Sequence, residues 1–270
     1  MPRTLEYRPV SEAANLPGLR LVLNGGVPGP WSEAAKAVFR VKGIDFVPVA
    51  HEGGSENTEL VAWTGIANAP VAMFADERPR AHWSEILLLA ERLAPLPRLI
   101  PEDEAGRVLM MGLAHEICGE DGLGWNRRLQ MLDSSEASAR NKAAEKAVSA
   151  ASEPNERIDR MRHRYSPNAE NAAAERRIVQ ILAHLDAALA DNRLRASKWL
   201  VGEHLTAADI YWAAFANLFA PLPPEICPMP TFYRTGAEQR SAEVTKALTP
   251  ALLEHRDRVA ALCFEAPMRF

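Results

Sequence analysis

The sequence predicts an α/β domain followed by an all-helical domain. Three observations carry that reading. Short β-like runs alternate with helical spacing as far as Ala94. Beyond Ile100 strand signals nearly vanish, and alanine, leucine, glutamate and arginine recur in helical periods, as from Arg176 to Leu189. The stretch Leu200 to Tyr211 then writes a buried helix start in full. With 47% hydrophobic and 24% charged side chains, 270 residues hold enough apolar material for two modest cores.

Met1 to Pro17 carries two arginines and two glutamates but no apolar core, so it reads as an extension, neither a secretory signal nor a spanning helix. Leu19 to Leu23 is a β-like run, followed by a Gly/Pro loop from Asn24 to Pro30. Ser32 to Lys42 has helical spacing at Ala35, Val38 and Phe39, with Ser32 as its expected N-cap. Phe46 to Val49 is a second strand and Pro70 to Phe74 a third, with a turn at Asp76 to Pro79 behind it. Ser84 to Leu93 reads as a helix, and Pro95-Leu96-Pro97 as an exit linker. A βαβ unit, a β-rich piece and a helix, in that order, make a thioredoxin-like domain.

In the second half, Leu109 to Leu132 reads as one helix. Ser134 to Pro167 is rich in Ala, Ser, Glu, Lys and Arg, and is expected to be solvated helix extensions or an excursion between two long helices. Thr206 is the N-cap of the next helix, with Asp209 three residues on to reach back to the cap amide. Leu205 and Ile210 stand at the staple positions, and Gly202 permits the turn before them. Pro221 to Pro230 holds five prolines and must be loop. Glu238 to Leu262 has room for two more helices, with Pro250 in the first turn of the last.

Thirty-one basic against thirty-five acidic side chains, a net charge of −4, offer no electrostatic footprint for nucleic acid or an anionic membrane. The longest apolar run, Tyr211 to Leu222, is far short of the ~20 residues a membrane span needs and contains Asn217. Cys118, Cys227 and Cys263 are widely separated and form no redox or zinc spacing, so reduced thiols, a cytoplasmic location and no metal are expected.

The string L-V-G-E-H-L-T-A-A-D-I, Leu200 to Ile210, resembles the capping-box and staple module in the helical domain of glutathione transferases. The resemblance implies an N-terminal thioredoxin-like domain over 18–94 after an extension over 1–17, a linker over 95–101, and a transferase-type helical bundle over 102–270. It also implies glutathione as co-substrate, a small apolar electrophile as second substrate, and a homodimer. Gly29-Pro30-Trp31-Ser32 resembles the family segment whose first residue offers a hydroxyl or thiol to the glutathione sulfur. Glycine stands at that position here, which leaves a helix N-terminus and the polar groups of Asn24 and Ser32 to lower the thiol pKa. Ala69-Pro70 resembles the family's cis-proline segment, where the backbone before the proline pairs with the tripeptide. Trp83-Ser84 occupies the place of a Glu-Ser pair that holds the γ-glutamyl end; Ser84 matches and Trp83 does not. Arg78, Arg80 and His82 lie just upstream as substitute anion contacts. Gly29, Trp31, Ala69, Pro70, Trp83 and Ser84 are thus the expected glutathione contacts.

The helix corresponding to Leu109 to Leu132 lines the electrophile pocket in that family. His115, Cys118, Gly122 and Trp125 recur at three to four residue spacing and are expected to share one wall of it. Two functions follow from the same residues. One is a transferase conjugating or exchanging glutathione thiolate with an electrophile; the other is a non-catalytic binding or interaction module on that fold, which Gly29 and Trp83 favour.

Overall fold

The computed structural model describes residues 6–132 and 171–270. The expectation for Ser134 to Pro167 lies outside the described residues. The chain begins with a short helix, α1 (Val10–Ala13), then β1 (Leu19–Asn24), α2 (Pro30–Val41), β2 (Val47–His51), α3 (Thr58–Thr64), β3 (Val71–Phe74) and α4 (Trp83–Leu93). The helical half holds α5 (Glu104–Cys118), α6 over 123–132, α7 (Asn171–Leu194), α8 (Ala207–Phe215), α9 (Thr231–Glu238), α10 (Ala242–Ala247) and α11 (Pro250–Cys263).

The strands form one sheet in the order β2-β1-β3, with β1 and β2 parallel and β1 and β3 antiparallel. Buried Leu21, Val22 and Leu23 place β1 in the centre, where a near-continuous apolar run belongs. The chain returns across β3 through an isolated Ala72–Arg80 bridge before α4 begins. α1, α3 and α9 are additions to the expected elements. Residues 6–17 also lie on the sheet: Arg8 bridges Val49, and Ala50 donates its amide to the Arg8 carbonyl. A four-residue helix behind Pro9 and a seven-residue helix are too short to show an apolar period in the sequence.

Two expected boundaries are corrected. α2 starts at Pro30 with Gly29 as N-cap, so Ser32 is inside the first turn, fully buried, and its Oγ accepts the Asn24 amide at 3.1 Å. Proline's fixed φ suits the first helical position better than a cap two residues later. Leu109 to Leu132 is also not one helix. α5 ends at Cys118, Gly119 is extended with ψ 175°, and Asp121 has φ 57° before the chain becomes helical again at 123.

One large apolar core joins both halves, and α8 runs through it. All nine residues of α8 are buried, and it packs against α2, α5 and α11. Ala207, Ala208, Ala213 and Ala214 keep it thin enough for helices on several sides. Lys42 adds a polar tie: Nζ pairs with Glu91 at 2.5 Å and donates to the Ala94 carbonyl, while Glu91 accepts the Leu99 amide.

The start of α8 is fixed by Asp209. Its Oδ2 accepts the Thr206 amide at 2.7 Å and the Thr206 hydroxyl at 2.8 Å; its Oδ1 accepts the Leu200 amide at 2.7 Å and meets His255 Nε2 at 2.8 Å. Asp209 and His255 are both fully excluded from solvent. Removing the carboxylate strands four buried donors, so Asp209→Ala should lower the unfolding free energy by about 3–5 kcal/mol in urea denaturation. Asp209→Asn, whose amide oxygen still accepts, should lose less.

Candidate functional site

Three chain segments meet at one end of the sheet. β1 leaves its last residue, Asn24, there, and the following loop brings Gly29 and the first turn of α2 back beside it. Antiparallel pairing of β1 with β3 sets Val22 opposite Val71, so the residues preceding β3, Ala69 and Pro70, lie at the same end. The Ala69–Pro70 peptide is cis, and neither Ala69 nor Pro70 belongs to the β1–β3 ladder. Pairing of Ala72 with Arg80 then returns Trp83 and Ser84 to that end, at the N-terminus of α4.

Gly29 leaves no room for a side chain of its own. A Cβ there would run into Asn24 Nδ2 and come within 3.0 Å of Asn24 Cγ. Asn24 Oδ1 meets His51 Nδ1 at 2.9 Å, and His51 Nε2 meets the Ala67 carbonyl at 3.0 Å. His51 is 5% exposed. Sequence reading missed it, because a histidine ending a strand 27 residues from Asn24 carries no spacing signal.

Ser84 is engaged by its own neighbour. His82 is the N-cap of α4; its Nδ1 accepts the Ser84 amide at 3.4 Å and lies 2.7 Å from Ser84 Oγ. Arg78 and Arg80, considered as anion contacts, pair instead with Glu85 at 2.8 Å and Glu77 at 2.5 Å. Glu77 also takes Arg92, and these arginines hold its carboxyl below the usual carboxylate range.

The two tryptophans expected at the site are turned toward the helical half. Trp31 donates Nε1–H to the Cys118 carbonyl at 2.8 Å and stands edge-on to Phe215, with centroids 4.8 Å apart. Gly124 makes that contact possible, since a Cβ there would collide with Phe215 and lie 3.0 Å from the Trp31 ring. Trp83 stacks edge-on against Tyr211 at 5.7 Å, and among the described residues its buried Nε1 has no hydrogen-bond partner.

The expected electrophile wall is not brought together. His115 is exposed, whereas Cys118 and Gly122 are buried and Trp125 packs with Trp31, Leu129 and Leu132. The break at Gly119 changes the helix phase, so spacing across it no longer defines a face. At Gly122 a Cβ would press on the Glu116 and Gly119 carbonyls, which makes this glycine a requirement of the turn. Burial pushes the Cys118 thiol well above its ordinary pKa, and Cys227 and Cys263 are pushed up to about 12. Two large cavities lie elsewhere. One of about 800 Å³ runs between α6, α7 and the segment from Gln239 to Glu243, and one of about 1140 Å³ lies between α2, the N-terminal residues and Cys263 to Glu265.

Residues 168–258 match the family of the glutathione S-transferase C-terminal domain. The fold is that of the glutathione transferase superfamily. No curated protein sequence matches the chain. Among solved structures, a glutathione S-transferase of Methylobacterium radiotolerans in complex with glutathione sulfonate has a TM-score of 0.55 at 19% identity, covering 90% of each chain. The β-etherase LigF of Sphingobium has a TM-score of 0.55 at 18% identity, over 89% of this chain and 99% of that one. A glutathione S-transferase of Methylobacillus flagellatus with glutathione bound has a TM-score of 0.52 at 14% identity, over 90% and 94%. The likeness to these structures is one of fold, and the expected α/β plus all-helical organisation stands.

Gly29→Ala should destabilise by about 1–3 kcal/mol through its clash with Asn24. Combined with Asn24→Gly, the penalty should largely disappear, which a double-mutant cycle of denaturation midpoints would measure. The three buried thiols should react with a soluble disulfide reagent only in the unfolded state.

Proposed function

We propose that the chain binds glutathione and transfers its thiolate to a small apolar electrophile. The observation that supports this reading best is the convergence of the Gly29, Ala69 and Ser84 backbones at one end of the sheet. In the proposed complex, the amide and carbonyl of Ala69 pair with the cysteinyl backbone of the tripeptide, a contact independent of side-chain identity. The γ-glutamyl carboxylate replaces His82 at Ser84, where α4 favours an anion. The sulfur lies at the N-terminus of α2, whose backbone amides and dipole favour thiolate. Ser32 acts indirectly, through its hydrogen bond to the Asn24 amide. Orientation and desolvation of the thiolate supply the acceleration.

His115 and Trp125 are kept in this reading as separate electrophile contacts, and buried Cys118 and Gly122 as supports of the turn between α5 and α6. A homodimer in the cytoplasm completes it. Leu88 on α4 and Val108 and Leu109 on α5, 53%, 66% and 49% exposed, are apolar surface for a second copy. Among the described residues no helix is long and apolar enough to cross a membrane.

His82 on Ser84 and Trp31 packed into the helical half favour the second reading, a non-catalytic binding module. Titration with reduced glutathione should raise the melting temperature saturably, by the equivalent of about 2.7 kcal/mol at 100 times the dissociation constant. Conjugation of an aryl halide in the same preparation then separates the readings, since a binding module leaves that rate at background. His82→Ala should tighten glutathione binding up to about tenfold by removing the internal competitor for Ser84, as measured by calorimetry.

A further inference from the structure

The corner beside Gly29 is filled from another residue. Asn24 Nδ2 stands where the side chain of position 29 would project, and among the described residues no hydrogen bond engages it. Its carboxamide is a polar group beside the N-cap of α2. Asn24 does not hold this position alone. His51, buried on β2, spans from Asn24 Oδ1 to the Ala67 carbonyl and so links the end of β1 to the turn that leads into Ala69 and Pro70.

We propose that His51 is a positioning residue, which holds the Asn24 carboxamide so that one end meets the sulfur of a bound thiol in place of the missing side chain at Gly29. The inference rests on the glutathione reading above. The Ala67 carbonyl can only accept, so His51 Nε2 carries a hydrogen. The ring's Nδ1 meets Asn24 at 2.9 Å. When Nδ1 also carries a hydrogen, Oδ1 accepts it and the NH2 end faces the corner, ready to donate to a thiolate. When Nδ1 is a lone pair, the carboxamide turns, Nδ2 donates to the ring, and the carbonyl faces the corner, ready to accept from an S–H. The first arrangement, with both ring nitrogens protonated, favours the thiolate, whereas the second favours the S–H form, so a lowered thiol pKa is the signature of the first.

The test reads the ionisation of bound glutathione by ultraviolet thiolate absorbance across pH, with S-methylglutathione, which has no thiol, as the binding control. The intact protein should bind both, and should hold the bound thiol below the value of about 8.5 for a free cysteine thiol. Asn24→Ala and His51→Phe should still bind S-methylglutathione while the thiol pKa returns toward that value. His51→Gln, which can still donate to Asn24, should keep most of the lowering. Asn24→Asp, nearly isosteric, should push the thiol above the free value through like-charge repulsion. The inference is overturned if Asn24→Asp and His51→Phe leave the bound thiol as acidic as in the intact protein. Binding of neither ligand by the intact protein would instead overturn the glutathione reading itself.

Discussion

Asp209 accepts from the Leu200 amide, the Thr206 amide, the Thr206 hydroxyl and the His255 ring while wholly excluded from solvent. Each oxygen serves two donors, so the group satisfies the backbone at the start of α8, the turn before it and a side chain of α11 together. A buried carboxylate is tolerated only when matched in this way. The consequence extends well past one cap. α8 lies inside the core with every residue buried, and α2, α5 and α11 pack on it, so the position of its first turn sets the position of the helices around it.

Trp31 and Trp83 show how the first half is docked on that frame. Both leave the α/β domain near the Gly29 and Ser84 corners, and both end against α8, on Phe215 and Tyr211. Their rings bring apolar area and edge-to-face contact to the junction. Trp83, which departs from the transferase pattern, therefore has a structural use in this chain. Space that an aromatic edge occupies is not open to a ligand, and the two large cavities lie away from this junction.

The organisation of the fold was legible because it rests on periodicity and local chemistry. β1, α2, α4 and α11 carry their spacing, their prolines or their caps within a few residues of themselves, and the Thr206–Asp209 box is complete within four. α1, α3 and α9 were not legible, since short helices gain their stability from what they pack against. The break at Gly119 was hidden for a related reason. Glycines at 119, 122 and 124 look alike in sequence, yet two serve a turn and one admits an aromatic ring. At the candidate site, Gly29, Ala69, Pro70 and Ser84 could be named by motif, while His51 and the cap made by His82 depend on contacts that no spacing encodes.

By itself the sequence determined the class of each half and the start of α8, because both follow from hydrophobic period and short-range hydrogen bonding. Tertiary structure alone decided where the side chains of the candidate site point. It turned Ser32 inward, sent Trp31 and Trp83 to the helical half, and filled the space at Gly29 with Asn24. These outcomes arise between residues far apart along the chain, where close packing leaves each volume to a single group and the winner is set by neighbours from other elements.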